Sequence, residues 1–161
     1  MLREDLQTVW IHDGVNAFGG GNNNILVHTG QGEDYLNNGI MDETLMHEAC
    51  HTSLDSRVYN TDGWDAAVAQ DGIYISDYAR DNPQREDVAE TFLVWFATRY
   101  SQDTFTQSEL DDWESQLGGR FAYFDDLCLE MNPYEDICNA SIMLTSAYLV
   151  IVAMTLMAHT F

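Results

Sequence analysis

Apolar residues recur at helical spacing in two stretches near the middle of the chain. Residues 41–58 contain no proline or glycine, and Asp42 can cap the start of a helix there. Residues 83–100 bring further apolar side chains to one helical face, namely Val88, Ala89, Phe92, Leu93 and Phe96. The two patterns predict helices that pack against each other.

Clusters of glycine and polar residues separate these stretches from shorter elements. Residues 19–24 are typical of a loop, and the apolar run 25–29, which ends at Gly30, predicts a strand. Further helices are predicted over 63–70, over 108–117, where Gly118 and Gly119 end the helix, and over 121–129. The pattern predicts an α+β domain that is mostly helical, with a small β portion beside the helix at 41–58.

The last part of the chain differs from the rest. Residues 142–161 contain no Asp, Glu, Lys or Arg, and about 20 apolar residues are enough to span a bilayer. We therefore divide the chain into a domain over 1–138 and an apolar segment over 139–161. This segment is either a membrane anchor, a removable signal or a buried helix. Residues 1–10 are too charged for a signal peptide, so the chain is either a fragment that lacks its N-terminus or cytosolic.

Acidic residues outnumber basic ones by 27 to 6, and the formal net charge is −21. This charge repels a polyanion, which argues against nucleic acid as a partner. All basic residues are arginine, and the composition is typical of a surface adapted to salt or to secretion. We expect a secreted or cell-surface protein, with the cytoplasm as the alternative.

Cysteine usage bears on the same question. Cys128 and Cys138 flank a proline-containing turn and could form a disulfide, which would indicate an oxidising compartment. The alternative is two free thiols in a cytosolic protein. Cys50 lies within the predicted helix at 41–58, and we expect it to be a small core residue.

The helix at 41–58 contains the sequence His-Glu-x-x-His. Residues four apart share a helical face, so His47 and His51 can bind one zinc ion while Glu48 acts as a base toward the attacking water. This motif predicts a metallohydrolase with one Zn²⁺ per chain.

A catalytic zinc ion usually has three protein ligands, so a third one is needed. Asp55 lies one turn after His51, but three ligands on one straight helix cannot easily surround an ion, and we expect Asp55 to orient the site or cap its helix. Glu86 and Glu90 lie one turn apart on the second predicted helix. One of these glutamates can bind the metal while the other accepts a hydrogen bond from a ligand histidine.

These two motifs, in this order, resemble the gluzincin branch of zinc metallopeptidases. The sequence from Tyr78 to Phe92 is similar to the catalytic domain of anthrax lethal factor and related bacterial metallopeptidases, and the match covers roughly the middle third of the chain. The resemblance implies a zincin-like fold and a peptide or protein substrate.

The resemblance also assigns roles to single residues. It implies that Glu86 is the third zinc ligand and that Glu90 supports the site without binding the zinc itself. A tyrosine that precedes the second motif stabilises the tetrahedral intermediate in that family. Tyr78 is the best match in position, and Tyr74 is the alternative.

The predicted strand comes shortly before the helix with the His-Glu-x-x-His motif. In zincins such a strand often lines the cleft and pairs with an extended substrate, a role that Leu26, Val27 and His28 could take. The alternative is a plain core strand. His28 is not needed as a metal ligand.

Two classes of function follow from the sequence. The first is a zinc metallopeptidase, more specifically an endopeptidase, with Glu48 as general base. The alternative is a non-catalytic extracellular interaction domain that retains the zincin fold. The intact Glu48 favours the enzyme, because a purely structural metal site does not need this carboxylate.

Overall fold

A computed structural model describes residues 2–134. Three short strands form one sheet: β1 (Thr8–His12), β2 (Gly19–Gly21) and β3 (Asn24–His28). Their order is β1-β3-β2, with β1 parallel and β2 antiparallel to β3. The predicted strand at 25–29 is therefore present, and it occupies the centre of the sheet.

Helices make up most of the described chain. They are α1 (Thr29–Asn38), α2 (Met41–Ser53), α3 (Asp55–Val58), α4 (Asp62–Asp71), α5 (Asp77–Asp81), α6 (Val88–Tyr100) and α7 (Gln107–Asp126). A π-helical turn (Pro83–Asp87) leads into α6, and a 3₁₀ turn (Gln102–Thr104) follows it. The prediction of an α+β domain that is mostly helical, with a small sheet, is therefore confirmed.

The core lies between α2, α4, α6 and α7 and is rich in aromatic rings. Trp64, Phe92, Trp95 and Phe124 are almost completely buried. The ring of Phe124 contacts Trp64, Phe92 and Trp95 with centroid distances of 5.4 to 5.6 Å, within the range that aromatic pairs prefer. Cys50 is a free, fully buried thiol in this core, as predicted.

One arginine is buried in this apolar surrounding. Arg120 of α7 has no exposed surface and forms ion pairs with Asp71 at 2.8 Å and with Asp87 at 3.2 Å. The rings of Trp64 and Tyr74 lie 5.6 and 5.2 Å from its guanidinium carbon. Burial raises the pKa of Asp87 to about 6, although Arg120 opposes this shift. Arg120 thus joins α4, the π-helical turn and α7.

The predicted break between the helices over 108–117 and 121–129 is present as a kink within α7. Two helical stretches meet at Leu117, which has non-helical angles, with φ at −120° and ψ at 20°. The carboxylate of Asp71 accepts hydrogen bonds from the backbone N–H groups of Gly119 at 2.6 Å and Arg120 at 3.2 Å. It therefore satisfies amide groups that the kink would leave without partners.

Three other local predictions need correction. The predicted helix over 41–58 breaks at Leu54 into α2 and α3, and the predicted helix over 83–100 begins with the π-helical turn. The predicted loop at 19–24 contains β2. Strand β1 and helix α1 were not predicted at all.

Some predictions concern residues that the structure does not describe. Cys128 is disulfide-bonded, but Cys138 and the segment 139–161 lie outside the described residues, so the predicted Cys128–Cys138 pairing stays a prediction. Between residues 2 and 134, no helix is long and apolar enough to cross a bilayer.

Replacing Arg120 by methionine should lower the free energy of unfolding by about 3–5 kcal/mol, because two buried carboxylates would lose their cation. Urea denaturation followed by circular dichroism measures this change. Arg80→Met is the matched control, since Arg80 also pairs with two aspartates but is exposed, and it should leave the unfolding midpoint nearly unchanged. Equal effects of the two substitutions would contradict the role given to Arg120.

Candidate metal centre

Helix α2 carries both histidines of the His-Glu-x-x-His motif on one face. Their Nε2 atoms lie 3.1 Å apart, and the two rings meet edge to face. Burial lowers the pKa of His47, and the neighbouring His51 lowers it further. A lowered pKa favours the neutral imidazole, which is the form that binds a metal.

Glu86 completes the group from the π-helical turn before α6. Its Oε2 atom lies 3.3 Å from His47 Nε2 and 3.7 Å from His51 Nε2, and its side chain is buried. At a zinc–ligand distance of about 2.0–2.1 Å, the donor atoms of a tetrahedral site are about 3.3–3.4 Å apart. The observed spacing of the three donor atoms therefore fits zinc. No other such group of metal-ligating side chains occurs in residues 2–134.

Asp55 holds one of the histidines in place. The first residue of α3, it has its Oδ2 atom 2.7 Å from His51 Nδ1. Burial opposes the charged form of His51, but the hydrogen bond to Asp55 and the charge of Asp55 leave the pKa raised. A carboxylate on Nδ1 directs Nε2 toward the metal position, as outer-shell carboxylates do in zinc proteins.

Glu48 lies beside the two histidines and is mostly buried. Burial raises the pKa of its carboxyl group, and the charge of Glu86 raises it further. The charge of His51 and a hydrogen bond from the Gly20 backbone act in the opposite direction. A carboxylate with a raised pKa near a metal site is suited to accept and return a proton.

Strand β2 packs directly on α2 at this point. A Cβ atom on Gly20 would lie 2.0 Å from the carbonyl oxygen of Glu48, so only glycine fits there. The backbone N–H of Gly21 donates to Thr52 Oγ1, which in turn donates to the carbonyl oxygen of Asn24, each at 3.0 Å. Sequence reasoning missed this contact, although three consecutive glycines are a signal of close backbone approach.

Tyr78, at the start of α5, lies next to Glu86. The charge of Glu86 raises the pKa of Tyr78, and a hydrogen bond between the two side chains raises it further. More than half of the Tyr78 side chain is exposed. The alternative, Tyr74, packs on the buried Arg120 instead. Of the two tyrosines, Tyr78 is therefore the one that lies at the site.

Glu90 has a different partner from the one expected. Its carboxylate accepts a hydrogen bond from Ser76 Oγ at 2.5 Å, and within residues 2–134 it has no hydrogen bond to His47 or His51. Ser76 Oγ also accepts from the backbone N–H of Ala79 and so caps α5. Glu90 thus binds the residue that caps α5, the helix that carries Tyr78. Sequence reasoning missed Ser76, which precedes α5 as a typical N-cap residue.

The predicted cleft strand is paired along one edge and partly covered along the other. Strand β3 pairs with β1 along its whole length, and β2 covers its other edge from Asn24 to Leu26. At Leu26 no backbone edge remains for an extended substrate. His28 is buried and its Nδ1 atom lies 3.2 Å from the carbonyl oxygen of Ala17. In the described sheet the outer edges of β1 and β2 are unpaired, and so is the side of β3 at Val27 and His28 that extends beyond β2. For these two residues the role in a substrate cleft stays a prediction.

No protein-family model, no curated protein and no solved structure matches the chain. The function is therefore inferred from the geometry of the site.

Replacing Gly20 by alanine should destabilise the protein by about 1–3 kcal/mol, because the new methyl group would push β2 away from the backbone of Glu48. Gly19→Ala is the matched control in the same strand, since a Cβ atom there meets nothing within 4 Å. Urea denaturation measures both variants. Similar stability of Gly20→Ala and Gly19→Ala would contradict the close packing of β2 on α2.

Proposed function

We propose that this protein is a zinc-dependent metallopeptidase with a zincin-like fold, and that it hydrolyses peptide bonds within its substrates. The observation that carries the proposal is the spacing of three donor atoms, His47 Nε2, His51 Nε2 and Glu86 Oε2, at 3.1 to 3.7 Å from one another. A buried carboxylate, Glu48, lies beside them. A purely structural zinc site would more often use four protein ligands.

Bound zinc would supply Lewis acidity, which polarises a substrate carbonyl and acidifies water. Glu48 would take a proton from the attacking water and pass it to the leaving amine. Its raised pKa suits both transfers, because a stronger base accepts the proton more readily and still releases it. Asp55 keeps the ring of His51 oriented throughout.

Tyr78 is the candidate for stabilising the substrate. Its hydroxyl lies beside Glu86, so it can donate to the negative charge that develops on the substrate's carbonyl oxygen. A tyrosine hydroxyl is protonated at neutral pH, as a donor must be. Its exposure allows a substrate to reach it.

A second candidate function is a non-catalytic interaction domain. Strand β1 favours it, because Val9, Trp10 and Ile11 are all half-exposed or more and one edge of the strand is unpaired in the described sheet. An exposed apolar edge can bind an extended partner strand. For either function we propose a secreted or cell-surface location, which the disulfide at Cys128 supports.

Glu48→Gln should keep the metal and lose turnover, because the amide fills the same space but cannot accept the proton. We expect one zinc per chain by elemental mass spectrometry and a loss of about 10²–10⁴-fold in kcat on a mixed peptide library. Wild type that binds zinc but cleaves no peptide would refute the peptidase and favour the interaction domain.

Asp55→Ala should weaken zinc binding by about 10–100-fold, the usual effect of removing an outer-shell carboxylate. Competition with a chromogenic chelator measures the affinity. Asp34→Ala, which removes an exposed carboxylate from α1, is the control and should bind zinc as wild type does. Glu86→Ala should weaken binding more than Asp55→Ala, and the reverse order would show that Glu86 is not a ligand.

A further inference from the structure

An apolar groove lies beside α2 and α6, and none of the three proposed zinc ligands is part of its described lining. Its volume is about 780 Å³, and its described lining includes Met46, Ile75, Leu93, Val94, Phe105 and Trp113. None of these six side chains is fully buried. Together they form one surface on which an apolar side chain from another molecule could be buried.

Carboxylates surround this apolar surface. Asp42, Glu43, Glu90 and Glu130 all border the groove, whereas Arg3 is the one cationic side chain in its described lining. Two aromatic rings, Phe105 and Trp113, face the same space, and aromatic faces attract Lys and Arg. The groove thus has an apolar floor, an acidic rim and two aromatic rings. These features match a ligand that is both apolar and basic.

The groove and the candidate metal centre are formed by neighbouring parts of the chain. Met46 directly precedes His47 in α2, Ile75 comes just before α5 with Tyr78, and Glu90 lies one turn after Glu86. The ligands themselves do not line the groove, and His51 borders a second cavity instead. The other large cavity next to the site is lined mainly by polar residues, including Asn22, Ser53 and Gln84, so apolar side chains are better accommodated in the groove.

We propose that the groove is an interaction site for amphipathic basic peptides, with leucine-like side chains on its floor and Lys or Arg at its rim. A second copy of this chain fits poorly, because each copy carries a charge of −21 and like charges repel. Anionic membranes and nucleic acids are disfavoured for the same reason.

Binding is tested with three labelled 12-residue peptides on the full chain carrying Glu48→Gln, with and without zinc, by fluorescence anisotropy. One peptide combines Leu and Lys, one combines Leu and Glu, and one combines Ser and Lys in the same pattern. The Leu/Lys peptide should bind at least about tenfold more tightly than either of the others, and salt should weaken it. Equal binding of all three peptides, or none, would overturn the proposal.

Matched variants separate the groove from the general acidity of the surface. Glu43→Gln and Glu130→Gln should each weaken binding of the Leu/Lys peptide by about two- to fivefold. Glu33→Gln removes the same charge from exposed α1 and should change nothing. Likewise, Leu93→Gln should weaken binding by about tenfold, whereas Leu36→Gln, at an exposed position of α1, should not. An equal loss in variants and controls would show that the groove is not the binding site.

The occupant can be identified by cross-linking. A photoreactive benzophenone side chain at position 94 should form an adduct with the added Leu/Lys peptide. Cross-links to residues beyond 134 of the same chain, or to a second copy, would mean that the groove is already occupied and would overturn the proposal.

Cleavage by wild type distinguishes the two proposals from each other. Groove-dependent binding without cleavage would refute the peptidase and leave the groove as an interaction site. Cleavage without groove-dependent binding would leave the peptidase and overturn the groove as an interaction site.

Discussion

The structure depends on the buried ion pairs of Arg120. Arg120 lies in the core with no exposed surface, and desolvating a guanidinium is costly unless carboxylates and hydrogen bonds replace the water. Asp71 and Asp87 provide this replacement from α4 and from the π-helical turn. Because Asp87 directly follows Glu86, the ion pair that secures the core also fixes the segment that carries the proposed third ligand.

Two parts of the structure therefore hold the candidate metal centre. One is α2, which presents both histidines and Glu48 and is backed by β2 at Gly20. The other is the π-helical turn, in which Glu86 and Asp87 are both buried. Glu86 contacts the histidines and Asp87 contacts Arg120, so each of these adjacent side chains has its own partner.

The parts of the site that depend on local spacing could be predicted from the sequence. His47, Glu48 and His51 are placed by one helical turn, and the partnership of His51 with Asp55 follows from the same spacing. The contacts that could not be predicted join distant segments. Asp71 supports the kink of α7 from 48 residues away, and Gly20 of β2 contacts the backbone of Glu48 in α2. The contact of Asp71 has no local signature. The glycine run signals close backbone approach but not a strand, so the loop predicted at 19–24 was wrong.

Strand β1 is exposed on both faces, and its outer edge is unpaired in the described sheet. Such an edge is a template on which a further strand can add, and Val9, Trp10 and Ile11 would make the addition favourable. Natural proteins usually protect edges of this kind with a lysine or a proline, and Thr8–His12 contains neither. Here the net charge of −21 protects the edge instead, because it makes two molecules repel each other. The colloidal stability of this protein is therefore linked to ionic strength, because salt screens the repulsion but not the apolar attraction between strands.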